Sequence, residues 1–171
     1  DKMKEALCHK QKNYFRGLPC PECYPELAEL AQQHVGGEDE HTVLAVSLIN
    51  RNFGIVGSIL PELLEGRTVW WVCGKDQNIE KLPFKVDKHI ATNVTDSWAN
   101  YESIKDAILE APEGTVVLLS CGPLGRVLCK EWFEKREDCS FIEIGSFYDP
   151  LTRNVIHNYH HQTLPGCGVC N

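Results

Sequence analysis

Thr115-Val116-Val117-Leu118-Leu119-Ser120 followed by Cys121-Gly122-Pro123-Leu124-Gly125-Arg126 is the stretch on which the fold turns. An unbroken apolar run rich in β-branched residues predicts a strand covered on both faces. Gly122 permits a tight turn out of that strand, and Pro123 suits the first position of a helix, where its missing N–H costs nothing. Pro123–Lys135 then places Leu124, Val127, Leu128, Trp132 and Phe133 on one side, the pattern of an amphipathic helix. A strand, a glycine turn and a helix make up half of a βαβ unit.

Working outward, Thr42–Ile49 (TVLAVSLI) and Thr68–Cys73 (TVWWVC) read as further buried strands, Phe84–Thr92 contains a short one, and Ser140–Ile144 (SFIEI) is the last. Helices are predicted over part of Asp1–Lys12 and over Pro25–Val35, Phe53–Leu64 and Trp98–Leu109, with Gly36-Gly37 and Pro112-Glu113-Gly114 as breaks. Asn13–Cys23 reads as a loop or a short strand and turn, and Asp149–Asn171 as irregular. Strands alternating with helices imply an α/β fold with parallel pairing. The expectation is a single Rossmann-like three-layer domain over residues 1–171, with a mainly parallel sheet of about five strands.

The net charge of −7 argues against a nucleic-acid binder, which needs a clustered basic face. No apolar run approaches the roughly 20 residues of a membrane helix, and no signal-peptide pattern opens the chain. Nine cysteines is an odd count that cannot pair fully within one chain. Cys8, Cys73, Cys121, Cys129 and Cys139 lie in or beside apolar segments and read as buried thiols, so a reducing, cytoplasmic setting is expected.

In an open α/β sheet, ligands sit beyond the carboxyl ends of the strands. Those ends carry Asn50-Arg51-Asn52, Gly74-Lys75-Asp76, Ser120-Cys121-Gly122 and Gly145-Ser146. Ser120, Gly122 and Gly125 frame a helix N-terminus, whose exposed amides suit a phosphate, unless the glycines serve only a sharp turn. Arg51 and Lys75 can balance a pyrophosphate, and Asn50 and Asn52 can hydrogen-bond a ribose or sugar hydroxyl. Glu143 and Asp149 are the acidic candidates, as general base or as ligands of a divalent ion. Glu143 alternates with Phe141 and can equally face a solvated edge. Asp39, Glu40 and His41 precede the first strand, the wrong end for the crevice, and read as a solvated loop.

Cys20-Pro21-Glu22-Cys23 and Cys167-Gly168-Val169-Cys170 are two knuckles of the kind that hold structural zinc through four thiolates. Their distance in sequence requires the two ends of the chain to meet; His160 and His161 are alternative ligands. Two local disulfides or free thiols are the competing readings.

The order NYFRGLP, VSLINRNF, VVLLSCGPLGRVLCKEWFEK and SFIEIGSFYDP resembles the glycosyltransferases of the type D fold and their capsular and viral relatives, over residues 13–150. The matching features are Gly122-Pro123 with Val127-Leu128, and Ile142-Glu143-Ile144-Gly145, where Glu143 replaces the usual Asp. The resemblance implies a Rossmann-like fold, a nucleotide-sugar donor and usually a divalent cation such as Mn or Mg. The family's acidic D-x-E motif precedes the NYFRGLP segment and does not occur in residues 1–12, so it lies upstream or is not used.

The leading expectation is therefore a glycosyltransferase-like domain taking a nucleotide-sugar or nucleoside diphosphate and a glycan acceptor. The alternative is a non-catalytic, zinc-stapled interaction or acceptor-positioning module that works with other domains of a longer protein. A methyltransferase is disfavoured, because Ile49–Gly54 after the first strand lacks the Gly-rich turn.

Overall fold

The computed structural model describes residues 1–22, 24–44 and 53–157. In chain order its elements are α1 (Lys2–Cys8), β1 (Arg16–Leu18), α2 (Pro25–Val35), β2 (Thr42–Leu44), α3 (Phe53–Leu64), β3 (Val69–Gly74), β4 (Lys88–Thr92), α4 (Tyr101–Ile104), β5 (Val116–Ser120), α5 (Pro123–Lys135), β6 (Ser140–Glu143) and α6 (Asp149–Thr152). Short 3-10 turns lie at Ile79–Lys81, Ser97–Asn100 and Ala107–Glu110. The fold is α/β, with parallel strands and flanking helices, as expected of a Rossmann-like architecture. Among the described residues the strands form two sheets: a pair, β1-β2, and a four-stranded sheet ordered β4-β3-β5-β6. Residues 45–49 of the predicted first strand lie outside the described residues. Ile59–Val155 form one compact unit; the described residues up to Ser58, with Ile156 and His157, form another.

In the N-terminal unit, Asp1 caps α1 by accepting from the amides of Met3 at 3.1 Å and Lys4 at 3.4 Å. Arg16 holds the unit together. Its Nη1 donates to Leu7 O at 3.0 Å and Val35 O at 3.1 Å, the last-turn carbonyls of α1 and α2 that no intrahelical N–H can satisfy. Its Nη2 pairs with Asp39 Oδ2 at 2.8 Å, where Lys10 adds a second cation at 2.7 Å. Asp39 is thus a structural anchor and not part of a solvated loop. Lys10 above all, with the His41 amide and Arg16, holds its carboxyl down to about 2 against the opposing pull of desolvation. The acidic run alone gave no sign of this, because the partner cations lie far away in sequence.

In the C-terminal unit the two central strands are buried on both faces, while the edge strands β4 and β6 are half-buried. One face of the sheet packs Trp70, Val72, Ile90, Val117 and Leu119 against Ile104, Ile108, Leu124, Leu128 and Trp132. Each large side chain buried this way contributes about 1.5–3 kcal/mol. The other face carries an aromatic group in which Trp71 stacks on Phe84 at 5.9 Å, and Tyr148 touches Trp71, Phe84 and Phe147.

The helix predicted over Trp98–Leu109 is broken into a 3-10 turn, α4 and a second 3-10 turn. The carbonyl that would continue it, Lys105 O, accepts from Trp132 Nε1 at 2.8 Å and Lys135 Nζ at 3.1 Å. The amide of Leu109 turns to Asp106 O instead. Tertiary bonds from α5 outweigh the helical pattern of the sequence.

Candidate functional site

The chain passes from β3 to its neighbour β4, then crosses over β3 to β5 and on to β6. The order therefore reverses between β3 and β5, and the crevice beyond their carboxyl ends is where open α/β sheets bind ligands. The register sets Gly74 beside Thr92 and Cys73 beside Ser120, with Leu119 beside Glu143. Lys75, Ser120, Gly122, Glu143 and Asp149 all follow or close these strands. Asn50, Arg51 and Asn52 lie outside the described residues.

Gly122 caps α5 at φ +61 and ψ −142, a conformation open essentially only to glycine. It is exposed, and a Cβ placed there meets nothing within 4 Å. The turn thus leads into α5 with space in front of it, although Pro123 brings no N–H and the Gly125 amide already donates to Gly122 O at 3.0 Å. Gly125 has a different role. A Cβ there would come within 3.3 Å of Glu143 Cγ, 3.4 Å of Cys121 Sγ and 3.5 Å of Leu119 Cβ, so this glycine lets the helix approach the sheet.

Glu143 shares a face with Phe141 and lies under the first turn of α5. Its Oε1 accepts from the Gly145 amide at 3.1 Å, and its Oε2 is 3.9 Å from Arg126 Nε. Desolvation pushes its pKa up, against Arg126 and the Gly145 amide. A carboxylate so raised is a better proton acceptor than a solvated one.

Ser120 occupies the middle of a polar string. Its Oγ donates to Gly145 O at 2.5 Å and accepts from Gln77 Nε2 at 3.2 Å. A hydroxyl has one proton, so Ser120 has no donor left for a phosphate in this arrangement. Gln77 Oε1 in turn shares the Thr152 hydroxyl proton with Tyr148 O, at 3.1 and 2.9 Å. Asp149 is buried; its Oδ2 is 3.5 Å from Arg153 Nη1, and Arg153 Nε pairs with Asp76 at 2.9 Å. Lys75 is exposed, its amide donating to Thr92 O at 3.0 Å.

Four groups at this edge escaped the sequence reading: Gln77, Arg126, Thr152 and Arg153. Arg126 was legible in principle, one turn into the helix that follows the glycine turn; Gln77 and Thr152 are 75 positions apart and gave no local sign. A Cys–His contact was also missed, Cys73 Sγ lying 3.1 Å from His89 Nε2. Burial, with Cys121, Asp76 and Asp149 nearby, pushes the thiol up to about 12, while burial lowers the imidazole. Both partners are neutral, so this is no activated thiolate.

Of the four knuckle cysteines, Cys20 is described and fully buried; Cys23, Cys167 and Cys170 lie outside the described residues, as do His160 and His161. The turn holding Cys20 is closed by a bond from the Tyr24 amide to Cys20 O at 2.9 Å. No group of three or more metal-ligating side chains occurs among the described residues. None of the described helices is long and apolar enough to cross a membrane.

These features define an α/β protein whose parallel sheet reverses its strand order between β3 and β5. Comparison with known proteins finds no matching family model, no significantly similar curated protein and no significantly similar solved structure.

Proposed function

We propose that the chain is a glycosyltransferase-like domain that binds a nucleotide-sugar beyond the carboxyl ends of β3, β5 and β6. The observation that carries this reading is the open turn at Gly122, which presents the start of α5 beside the strand-order reversal. The diphosphate lies against this helix start, with Lys75 and Arg126 as nearby cations. Glu143, with its raised pKa, is the base that takes a proton from a glycan acceptor. A divalent ion such as Mn or Mg accompanies the diphosphate, with Asp149 or Glu143 as candidate ligands; Asp149 must first part from Arg153. The setting is cytoplasmic, and nucleic acid is not a partner.

The second reading is the zinc-stapled, non-catalytic module, in which Cys20, Cys23, Cys167 and Cys170 hold one structural ion. It is favoured by the complete burial of Cys20 at a closed turn and by the grouping of Ile156 and His157, ahead of the second knuckle, with the unit that holds the first. One experiment separates the two: calorimetry of the whole chain against a panel of nucleotide-sugars, with and without manganese, on protein whose zinc content has been measured. The first reading expects heat from at least one donor. Silence from every donor sinks it, and one zinc per chain with no donor heat selects the second.

A further inference from the structure

The polar string at the carboxyl edge does not stop at Ser120. Thr152 Oγ1 meets Gln77 Oε1, Gln77 Nε2 donates to Ser120 Oγ, Ser120 Oγ donates to Gly145 O, and Gly145 N donates to Glu143 Oε1. Each link fixes the next. Because the Ser120 proton is committed to Gly145 O, the Gln77 atom facing Ser120 must be its NH₂, and its carbonyl then faces the hydroxyl of Thr152. Gln77 is buried and neutral, with its backbone also fixed by a bond from its amide to Gly74 O at 3.0 Å. Gly145 has φ +54, so the turn it occupies is set by its surroundings and not by a side chain of its own.

We infer that Gln77 is a positioning residue for Glu143: acting through Ser120 and the Gly145 peptide, it sets the direction of the carboxylate under the first turn of α5. The role of that carboxylate as base rests on the glycosyltransferase reading; the coupling does not. Among the described residues Gln77 makes no hydrogen bond to Glu143, so its effect runs through Ser120 and the Gly145 peptide. A neutral string suits the task, because it fixes direction without placing a second charge beside a carboxylate already paired with Arg126.

The test uses the whole chain and the variants Gln77→Met, which keeps volume and removes the amide, and Ser120→Ala, which cuts the next link. Hydrogen exchange of the Gly145 amide, resolved by NMR, should speed by roughly tenfold in each, the worth of one net hydrogen bond, with no further gain in the double variant. Amides in the middle of β3 and β5 serve as the internal control and should keep their protection. With a donor that the wild type turns over, kcat should fall by a similar factor while KM stays put. Gly145 exchange unchanged in both variants overturns the proposal, as does a uniform acceleration across β3 and β5, which reports only lost stability. Faster Gly145 exchange beside an unchanged kcat supports the coupling and removes Glu143 as the base. A wild type that turns over no donor removes the glycosyltransferase reading, and the exchange result then decides the coupling by itself.

Discussion

Arg16 and Gln77 are both buried polar side chains, 3% and 7% exposed, and each ties together segments of its own unit, Arg16 reaching three others and Gln77 two. Arg16 does so with a fixed charge. It spends its guanidinium on two helix-end carbonyls and one carboxylate, and its Nε is left without a partner among the described residues. Gln77 does so as a neutral amide with both of its polar atoms engaged. Ala6, Leu18 and Cys20 are the buried apolar residues among the described part of the N-terminal unit. The C-terminal unit has an extensive apolar core and can use its buried polar groups to shape an edge. A buried charge is expensive and fails badly when its partner is lost; a satisfied neutral string does neither.

The comparison breaks most sharply at Arg16. Arg16→Ala leaves two helix ends unmatched and Asp39 with Lys10 as its remaining cation, and should cost the N-terminal unit about 1–3 kcal/mol, the usual penalty for leaving a polar group unsatisfied. Hydrogen exchange read by mass spectrometry should show α1 and α2 opening while β3 and β5 stay protected. Arg16→Lys should recover part of the loss and no more, because an ammonium lacks the planar fork that reaches Leu7 O, Val35 O and Asp39 together. Equal loss of protection in both units would show that the clasp is not local.

Acid should reach the same clasp more gently. Asp39 has its pKa lowered to about 2 from the ordinary 3.8, chiefly by Lys10. A carboxyl depressed in the folded state adds stability that is present above its unfolded pKa and is lost as pH falls through the folded one. Protection of α1 and α2 should therefore decline between pH 4 and pH 2, and Asp39→Asn should flatten that decline. Glu143 carries the opposite sign: its raised pKa favours the neutral form, so it adds nothing that acid removes. An identical acid response in Asp39→Asn and the wild type would dismiss the clasp as the sensor.

The legible parts of this chain were the ones whose information is local. Thr115–Arg126 announced strand, turn and helix because the apolar run, the glycine and the proline each act on their own neighbours; β5 and α5 follow them within a residue. Pro25–Val35 and Phe53–Leu64 were legible for the same reason. The site was half legible. Gly122 carries its meaning in its own backbone angles, whereas Gly125 reads identically in sequence and is set apart only by the approach of Glu143 and Cys121. Ser120 looked like a phosphate donor because nothing in sequence shows where its proton goes. Asp39 looked solvated because its cations come from Lys10 and Arg16, on other segments. What stayed hidden is pairing across the fold, which no periodicity encodes.

The smallest effect concerns a buried polar group that neither device satisfies. Tyr148 is 4% exposed and packs among Trp71, Phe84 and Phe147 at ring distances of 5.6, 5.5 and 4.8 Å. Its hydroxyl has no hydrogen-bond partner among the described residues, and burial pushes its pKa up to about 12. Gln77 shows what satisfaction looks like a few residues from the same loop, since Thr152 reaches both Gln77 and the Tyr148 carbonyl while the phenol oxygen receives nothing. Desolvating a hydroxyl without a partner costs free energy that deletion recovers, and Tyr148→Phe keeps every ring contact. Stability in urea should be unchanged or raised by about 1 kcal/mol. A loss of that size would mean that the hydroxyl has a partner in solution, and the neutral string would then extend onto the aromatic face of the sheet.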